Sequence, residues 1–196
     1  MINLSSEEIT SKNLVIRVDM NVPIKDGIVL DSTRIEACIP TIMFALNRGA
    51  RILLISHLGR PKEGSFDEKF SLKPVAESLS KIINMSCEVI NDIESEHIFK
   101  SESVIQVLEN IRFFQGESED DDQLAQKLAS LGDIYINDAF SCSHRKQASV
   151  HKIAKYIKES YAGPLLKKEV EAINLVVKNK KKPVTCIIGG SKISTK

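Results

Sequence analysis

Arg51-Ile52-Leu53-Leu54-Ile55-Ser56-His57-Leu58-Gly59-Arg60-Pro61 carries an apolar run straight into a polar loop. Consecutive large aliphatic residues without polar alternation fit a short strand covered on both faces, as in a parallel sheet. Pro61 stops the strand from continuing, so Ser56, His57, Gly59 and Arg60 fall together in one loop at its carboxyl end. A histidine, an unhindered glycine backbone and an arginine in that order suggest part of a site for a small, multiply charged anion.

The arrangement recurs along the chain. Residues 13–18, short and apolar, lead into Asp19-Met20-Asn21-Val22-Pro23 and a turn signal at Lys25-Asp26-Gly27. Residues 104–108 lead into Glu109-Asn110-Ile111-Arg112. Residues 134–136 lead into Asn137-Asp138-Ala139-Phe140 and then Ser141-Cys142-Ser143-His144-Arg145. Residues 87–90 are a weaker strand candidate.

Helical patterns fill the intervals. Residues 31–49 place Ile42, Ala45 and Leu46 on one face, with Arg34 preceding the helix, Pro40 near a first turn and Gly49 as the stop. Ser71 is the expected N-cap of a helix over 72–83 whose inner face is Val75, Leu79 and Ile82. A third helix presents Leu124, Leu128 and Leu131. Gly163-Pro164 opens a last one, over 165–177, carrying Leu166, Val170, Ile173 and Val177. Residues 61–70 read as a mobile surface loop. The acidic run 117–122 reads as charge favoured by a helix N-terminus, with no chemistry assigned.

Strand-helix-strand repetition predicts an α/β fold: a three-layer, Rossmann-like parallel sheet with helices on both faces. Ligands of such sheets bind beyond the carboxyl ends of the strands, which would gather Asp19, Asn21, His57, Arg60, Arg112, His144 and Arg145 on one rim. Arg17, inside a strand, reads as a structural ion-pair partner, and His97 and His151 as surface residues. Residues 178–183 read as a charged linker, and 184–188 as a strand ending in Gly189-Gly190-Ser191-Lys192-Ile193-Ser194-Thr195-Lys196. One strand cannot bury itself, so this looks like the opening of a second α/β unit, as in a truncated protein.

Composition narrows the function classes. With 42% hydrophobic and 27% charged residues the 196-residue chain is an ordinary globular protein. No segment approaches the roughly 18 consecutive apolar residues of a membrane span, and the amino terminus lacks a secretory pattern. The net charge of +1 and few aromatics argue against nucleic acid as a partner. Cys38, Cys87, Cys142 and Cys186 are isolated, which suggests buried free thiols in a reducing cytoplasm and neither a disulfide framework nor a metal site. Of the seven arginines, Arg17, Arg34, Arg60, Arg112 and Arg145 lie in or just beyond strand ends, whereas lysines crowd the helices. Arginine's rigid fork suits carboxylate and phosphate. The motifs GxGxxG and GxxxxGK[ST] are absent, which disfavours a dinucleotide or P-loop site.

Seven motifs in order, RVDMNVP (17–23), DSTRI (31–35), SHLGRP (56–61), LENIRF (108–113), NDAF…HR (137–145), GPLLKKE (163–169) and GGSKISTK (189–196), resemble the phosphoglycerate kinase family. The resemblance runs over essentially the whole chain. It implies reversible phosphoryl transfer between 1,3-bisphosphoglycerate and ADP, giving 3-phosphoglycerate and ATP, with Mg2+ bound alongside the nucleotide, in a cytoplasmic, glycolytic monomer. It further implies a 3-phosphoglycerate-binding domain over 1–162, an interdomain helix over 163–178 and the start of a nucleotide-binding domain over 179–196. The substrate residues so implied are Asp19, Asn21, Arg34, His57, Leu58, Gly59, Arg60, Arg112, His144 and Arg145. Arg34 and Lys192 resemble transition-state contacts, and Lys192 and Lys196 nucleotide ligands. Met20, Ser141-Cys142-Ser143 and Gln147 depart from the family's commoner residues. The absent remainder of the nucleotide domain leaves an alternative: a noncatalytic binding module for small phosphorylated acids.

Overall fold

The computed structural model describes residues 8–178 together with Thr185. Its elements are β1 (Asn13–Arg17), β2 (Ile24–Lys25), β3 (Ile28–Val29), α1 (Thr33–Leu46), β4 (Arg51–Ile55), α2 (Lys73–Ile83), β5 (Cys87–Ile90), β6 (Ile105–Leu108), α3 (Asp122–Ser130), β7 (Ile134–Asn137), α4 (Ile153–Tyr156), β8 (Glu159–Ala162) and α5 (Pro164–Lys178). Six strands form one sheet in the order β5-β6-β4-β1-β7-β8, every pairing parallel. β2 and β3 make a separate hairpin. Asp26 and Gly27 turn it with φ of 51° and 73°, the left-handed pair that a two-residue turn requires.

The apolar runs are central strands because both their faces are covered. Leu14, Ile16, Ile52 and Leu54 pack against Ile35, Cys38 and Ile42 of α1 and Val75 and Leu79 of α2. Val15, Leu53 and Ile55 face Leu124, Ala125 and Leu128 of α3 and Ile153 of α4 on the other side. Each such aliphatic side chain, removed from water, stabilises the fold by about 1.5–3 kcal/mol.

Register brings the strand ends level. Arg17 pairs with Ile55 on one side and Asn137 on the other, and Leu54 pairs with Val107. The loops after β1, β4, β6 and β7 therefore leave the sheet at one height. The chain order also reverses about β1, since β4 lies to one side of it and β7 to the other. Such a switch point opens a crevice at the carboxyl ends of the strands.

Several expectations need correction. α1 begins at Thr33, so Arg34 lies in its first turn and Pro40 in its interior. Pro40 is tolerated on an exposed side of the helix, where the bond it cannot donate leaves a carbonyl that water can reach. α2 begins one residue late, at Lys73; Ser71 still accepts from the Lys73 N–H at 3.2 Å, while Ile82 is exposed and Ala76 takes its place in the core. In α3 the alanines 125 and 129 join Leu124 and Leu128, and Leu131 is only half-buried. Residues 61–70 are pinned: the Gly64 N–H donates to Phe113 O at 2.9 Å, and the Phe66 and Phe113 rings meet at 5.4 Å. β8, α4 and a π-helical turn at Ala148–Lys152 have no counterpart in the sequence reading.

The acidic run divides. Asp121 caps α3, accepting from the Leu124 N–H at 2.8 Å, as its position suggests. Glu117 is instead wholly buried, and Asp120 pairs with His151 at 2.6 Å. Cys38 and Cys142 are buried free thiols and Cys87 a half-buried one. The expected strand over 184–188 and the Gly189-Gly190 turn lie outside the described residues.

Candidate functional site

The rim is built from four strand ends and one helix start. Asp19 and Asn21 follow β1, Arg34 opens α1, His57 to Arg60 follow β4, Arg112 follows β6, and His144 and Arg145 follow β7. Asp19 is the knot. Its carboxylate accepts from Arg34 Nη1, from Ser141 Oγ and, at 3.1 Å, from the Asn21 N–H. Burial pushes its carboxyl up, but these hydrogen bonds and the Arg34 charge outweigh it and hold Asp19 below the usual carboxylate range.

The loop after β4 is held from both sides. Asn21 Oδ1 accepts from the Gly59 N–H at 2.9 Å, and Arg112 Nη1 donates to Gly59 O. Asn110 accepts from the Leu58 N–H at 3.2 Å, and its amide donates to Leu58 O at 2.8 Å and Phe70 O at 2.9 Å. Ser56 Oγ accepts from the Met20 N–H at 2.9 Å. Gly59 has φ +57°, and a β-carbon there would run into the Phe70 ring, so no other residue suits this crossing.

His57 is almost fully buried. Arg17 Nη2 stands 3.3 Å from its Nδ1. Burial and the Arg17 and Arg112 charges push the imidazole down to about 3 against the opposing pull of Asp19, so it is neutral at physiological pH. A guanidinium can only donate, so Nδ1 accepts and the ring proton sits on Nε2. Burial and the like charges of Arg145 and Arg17 also lower the Arg112 guanidinium. Positive charge is thus crowded within a half-buried crevice, an arrangement that an anion relieves.

The structure therefore joins Asp19, Asn21, Arg34, Gly59 and Arg112 through direct bonds, ties Leu58 to Arg112 through Asn110, and holds His57 through Arg17. Arg60 and His144 are exposed beside them, and Arg145 is half-buried and close enough to act on Arg112 and His57. Lys192 and Lys196 lie outside the described residues. Arg17 corrects its expectation. Among the described residues it makes no direct ion pair, and bonds Val18 O, Ile55 O, Ser149 Oγ and His57 instead. Asn110 and Ser141 are missed by sequence reasoning, although each sits in a strand-end motif that it singles out; their polar character was the available signal.

Asp19, His57 and Cys142 could each offer one ligand atom, all within 4.8 Å of one another. His57 Nδ1 is already bonded by Arg17, and the Asp19 oxygens by Arg34, Ser141 and Asn21. A hard cation such as Mg2+ wants several free oxygens, so these residues do not fit it.

The phosphoglycerate kinase family model matches residues 4–196. The phosphoglycerate kinase of Francisella tularensis subsp. novicida (strain U112) is 46% identical over 195 residues, covering 100% of this chain and 50% of that protein. That of Legionella pneumophila (strain Paris) is 44% identical over 196 residues, covering 100% of this chain and 49% of that protein. The solved structure of phosphoglycerate kinase from Coxiella burnetii superposes with a TM-score of 0.86 at 43% identity, covering 95% of this chain and 48% of that one. The chain thus spans about half the length of the relatives it matches.

Proposed function

This chain belongs to the phosphoglycerate kinase family, and on that footing we propose that it holds 3-phosphoglycerate or 1,3-bisphosphoglycerate during phosphoryl exchange with ADP and ATP. One observation carries the reading. Arg17, Arg112 and Arg145 crowd about a neutral, buried His57 at the level rim of β1, β4, β6 and β7, and anions relieve their mutual repulsion.

A phosphoglycerate presents a phosphate and a carboxylate a few bonds apart, which matches several guanidiniums on one rim better than a single cation. In this reading Arg60, Arg112 and Arg145 neutralise the 3-phosphate, His57 Nε2–H and the Asn21 amide orient the carboxylate end, and His144 borders the entrance. His57 performs no proton transfer. Arg34, half-exposed and tethered to Asp19, reaches the phosphoryl group in flight. Transfer of that group demands alignment and charge neutralisation more than covalent work.

Residues 8–162 form the substrate unit and α5 the connecting helix. Nucleotide with Mg2+ is met by groups outside the described residues, Lys192 and Lys196 among them. No helix among the described residues is long and apolar enough to cross a membrane.

A coupled assay tests the reading. A protein of the relatives' full length containing this sequence should interconvert 3-phosphoglycerate plus ATP with 1,3-bisphosphoglycerate plus ADP, whereas the 196-residue chain alone should not. Failure of the longer protein to turn over sinks the kinase reading. Turnover by the shorter chain sinks the division of labour.

A further inference from the structure

Glu117 sits among acidic neighbours at the approach to α3, yet it is wholly buried, and nothing in the anion site described above touches it. Its two oxygens are spent on one residue. Oε1 accepts from Ser149 Oγ at 2.6 Å and Oε2 from the Ser149 N–H at 2.9 Å, while Glu117 O accepts from the Ala148 N–H at 3.1 Å. The segment is doubly clamped, because Tyr135 Oη donates to Ser149 O at 2.8 Å.

The Ser149 hydroxyl has a single proton, and Glu117 takes it. Toward its other neighbour Ser149 Oγ can only accept, which it does from Arg17 Nε at 3.1 Å. Arg17, fully buried, directs Nη1 to Val18 O at 2.5 Å and Ile55 O at 3.4 Å, and Nη2 to His57 Nδ1. The donors diverge from Arg17, His57 ← Arg17 → Ser149 → Glu117, and one arm terminates on a carboxylate. A buried guanidinium needs a counter-charge, and here that charge arrives through a hydroxyl.

We propose that Glu117 is a positioning residue for the anion site: acting through Ser149 and Arg17, it fixes His57 as the tautomer whose Nε2–H donates to the bound phosphoglycerate. The ligand in that statement rests on the function proposed above; the positioning of His57 does not. Burial raises the Glu117 carboxyl, while Arg17 and the two Ser149 bonds favour its charged form. The groups facing His57 are Arg17, Arg112, Asp19, Arg145 and the Cys142 thiol, so loss of Arg17's fixed position leaves the ring to choose among unlike neighbours.

The test is nitrogen-15 NMR of the histidine side chains in the 196-residue chain, with His57 assigned by its absence in His57→Gln. The unsubstituted protein should show His57 as a single Nε2–H tautomer that does not titrate between pH 5 and 8. In Glu117→Gln and in Ser149→Ala it should show mixed tautomers, and affinity for 3-phosphoglycerate should fall about tenfold, the effect of one lost charge-assisted bond. Ser149→Ala leaves the carboxylate in place and removes only the link, so it decides the matter if Glu117→Gln does not fold. An unchanged single Nε2–H tautomer in folded Ser149→Ala overturns the proposal. If the unsubstituted chain ignores 3-phosphoglycerate while both variants still disturb His57, the function reading fails and the positioning role stands.

Discussion

Asp19 and Ser141, 122 positions apart, are joined by a hydrogen bond from the serine hydroxyl to the carboxylate. The same carboxylate holds Arg34. One acidic group thereby sets the place of an arginine at the start of α1 relative to the loop after β7, across the switch point of the sheet.

In the proposed function Arg34, so tethered, serves the reacting group more than ground-state binding. Arg34→Ala in a full-length, active protein should lower kcat by about 100-fold or more while changing KM by less than about tenfold. Steady-state kinetics checks this, and an unchanged kcat removes Arg34 from its assigned role.

Acid should destabilise the fold through His57. Folded, the ring stays neutral down to about 3, whereas its ordinary value is 6.5. Between those values the unfolded chain binds the extra proton, so stability falls as pH drops from about 6.5 toward about 3, by up to about 1.4 kcal/mol per pH unit. Asp19, with its lowered carboxyl, adds loss in the same direction at the acid end. Urea unfolding at pH 7 and pH 5 should show a gap that shrinks in His57→Gln; an equal gap contradicts the buried, neutral imidazole.

Gly59→Ala should lower stability by about 1–3 kcal/mol, since it combines a positive φ with a collision at the Phe70 ring. Adding Phe70→Leu should recover only the collision. Thermal melts of the single and double variants separate the two contributions, and full recovery rules out backbone strain.

Asn110 is the tie between the loops after β4 and β6. Asn110→Ala leaves a buried Leu58 N–H and two carbonyls without their partner and should cost about 2–4 kcal/mol. Denaturant titration measures it; a loss within about 0.5 kcal/mol contradicts the tie.

The fold was legible where burial makes sequence uniform. Strands β1, β4, β6 and β7 are short aliphatic runs closed by polar residues, because helices cover both of their faces. β8, Glu-Ser-Tyr-Ala at the sheet's margin, lacks that signature and exists because β7 offers it a ladder. Pro40 departs from its expected first-turn place because its helix starts at Thr33, well ahead of the apolar face at Ile42, Ala45 and Leu46. In the site, Asp19, Asn21, His57 and Arg112 declared themselves as polar residues at strand ends. Glu117 could not. Its local setting matches that of Asp121, a true helix cap, and only the packing of Ser149, 32 positions later, makes it a buried acceptor. Arg17 differs from the expected ion-pair partner for the same reason, as its carboxylate lies one hydroxyl away.

In the proposed function this rim receives a phosphoglycerate. Titration calorimetry of the 196-residue chain with 3-phosphoglycerate at low and raised salt tests it, with Arg112→Met alongside. The expected result is one site, weaker binding as salt rises, and at least about tenfold loss of affinity in Arg112→Met. No binding at low salt, or binding that Arg112→Met and salt leave unchanged, contradicts it.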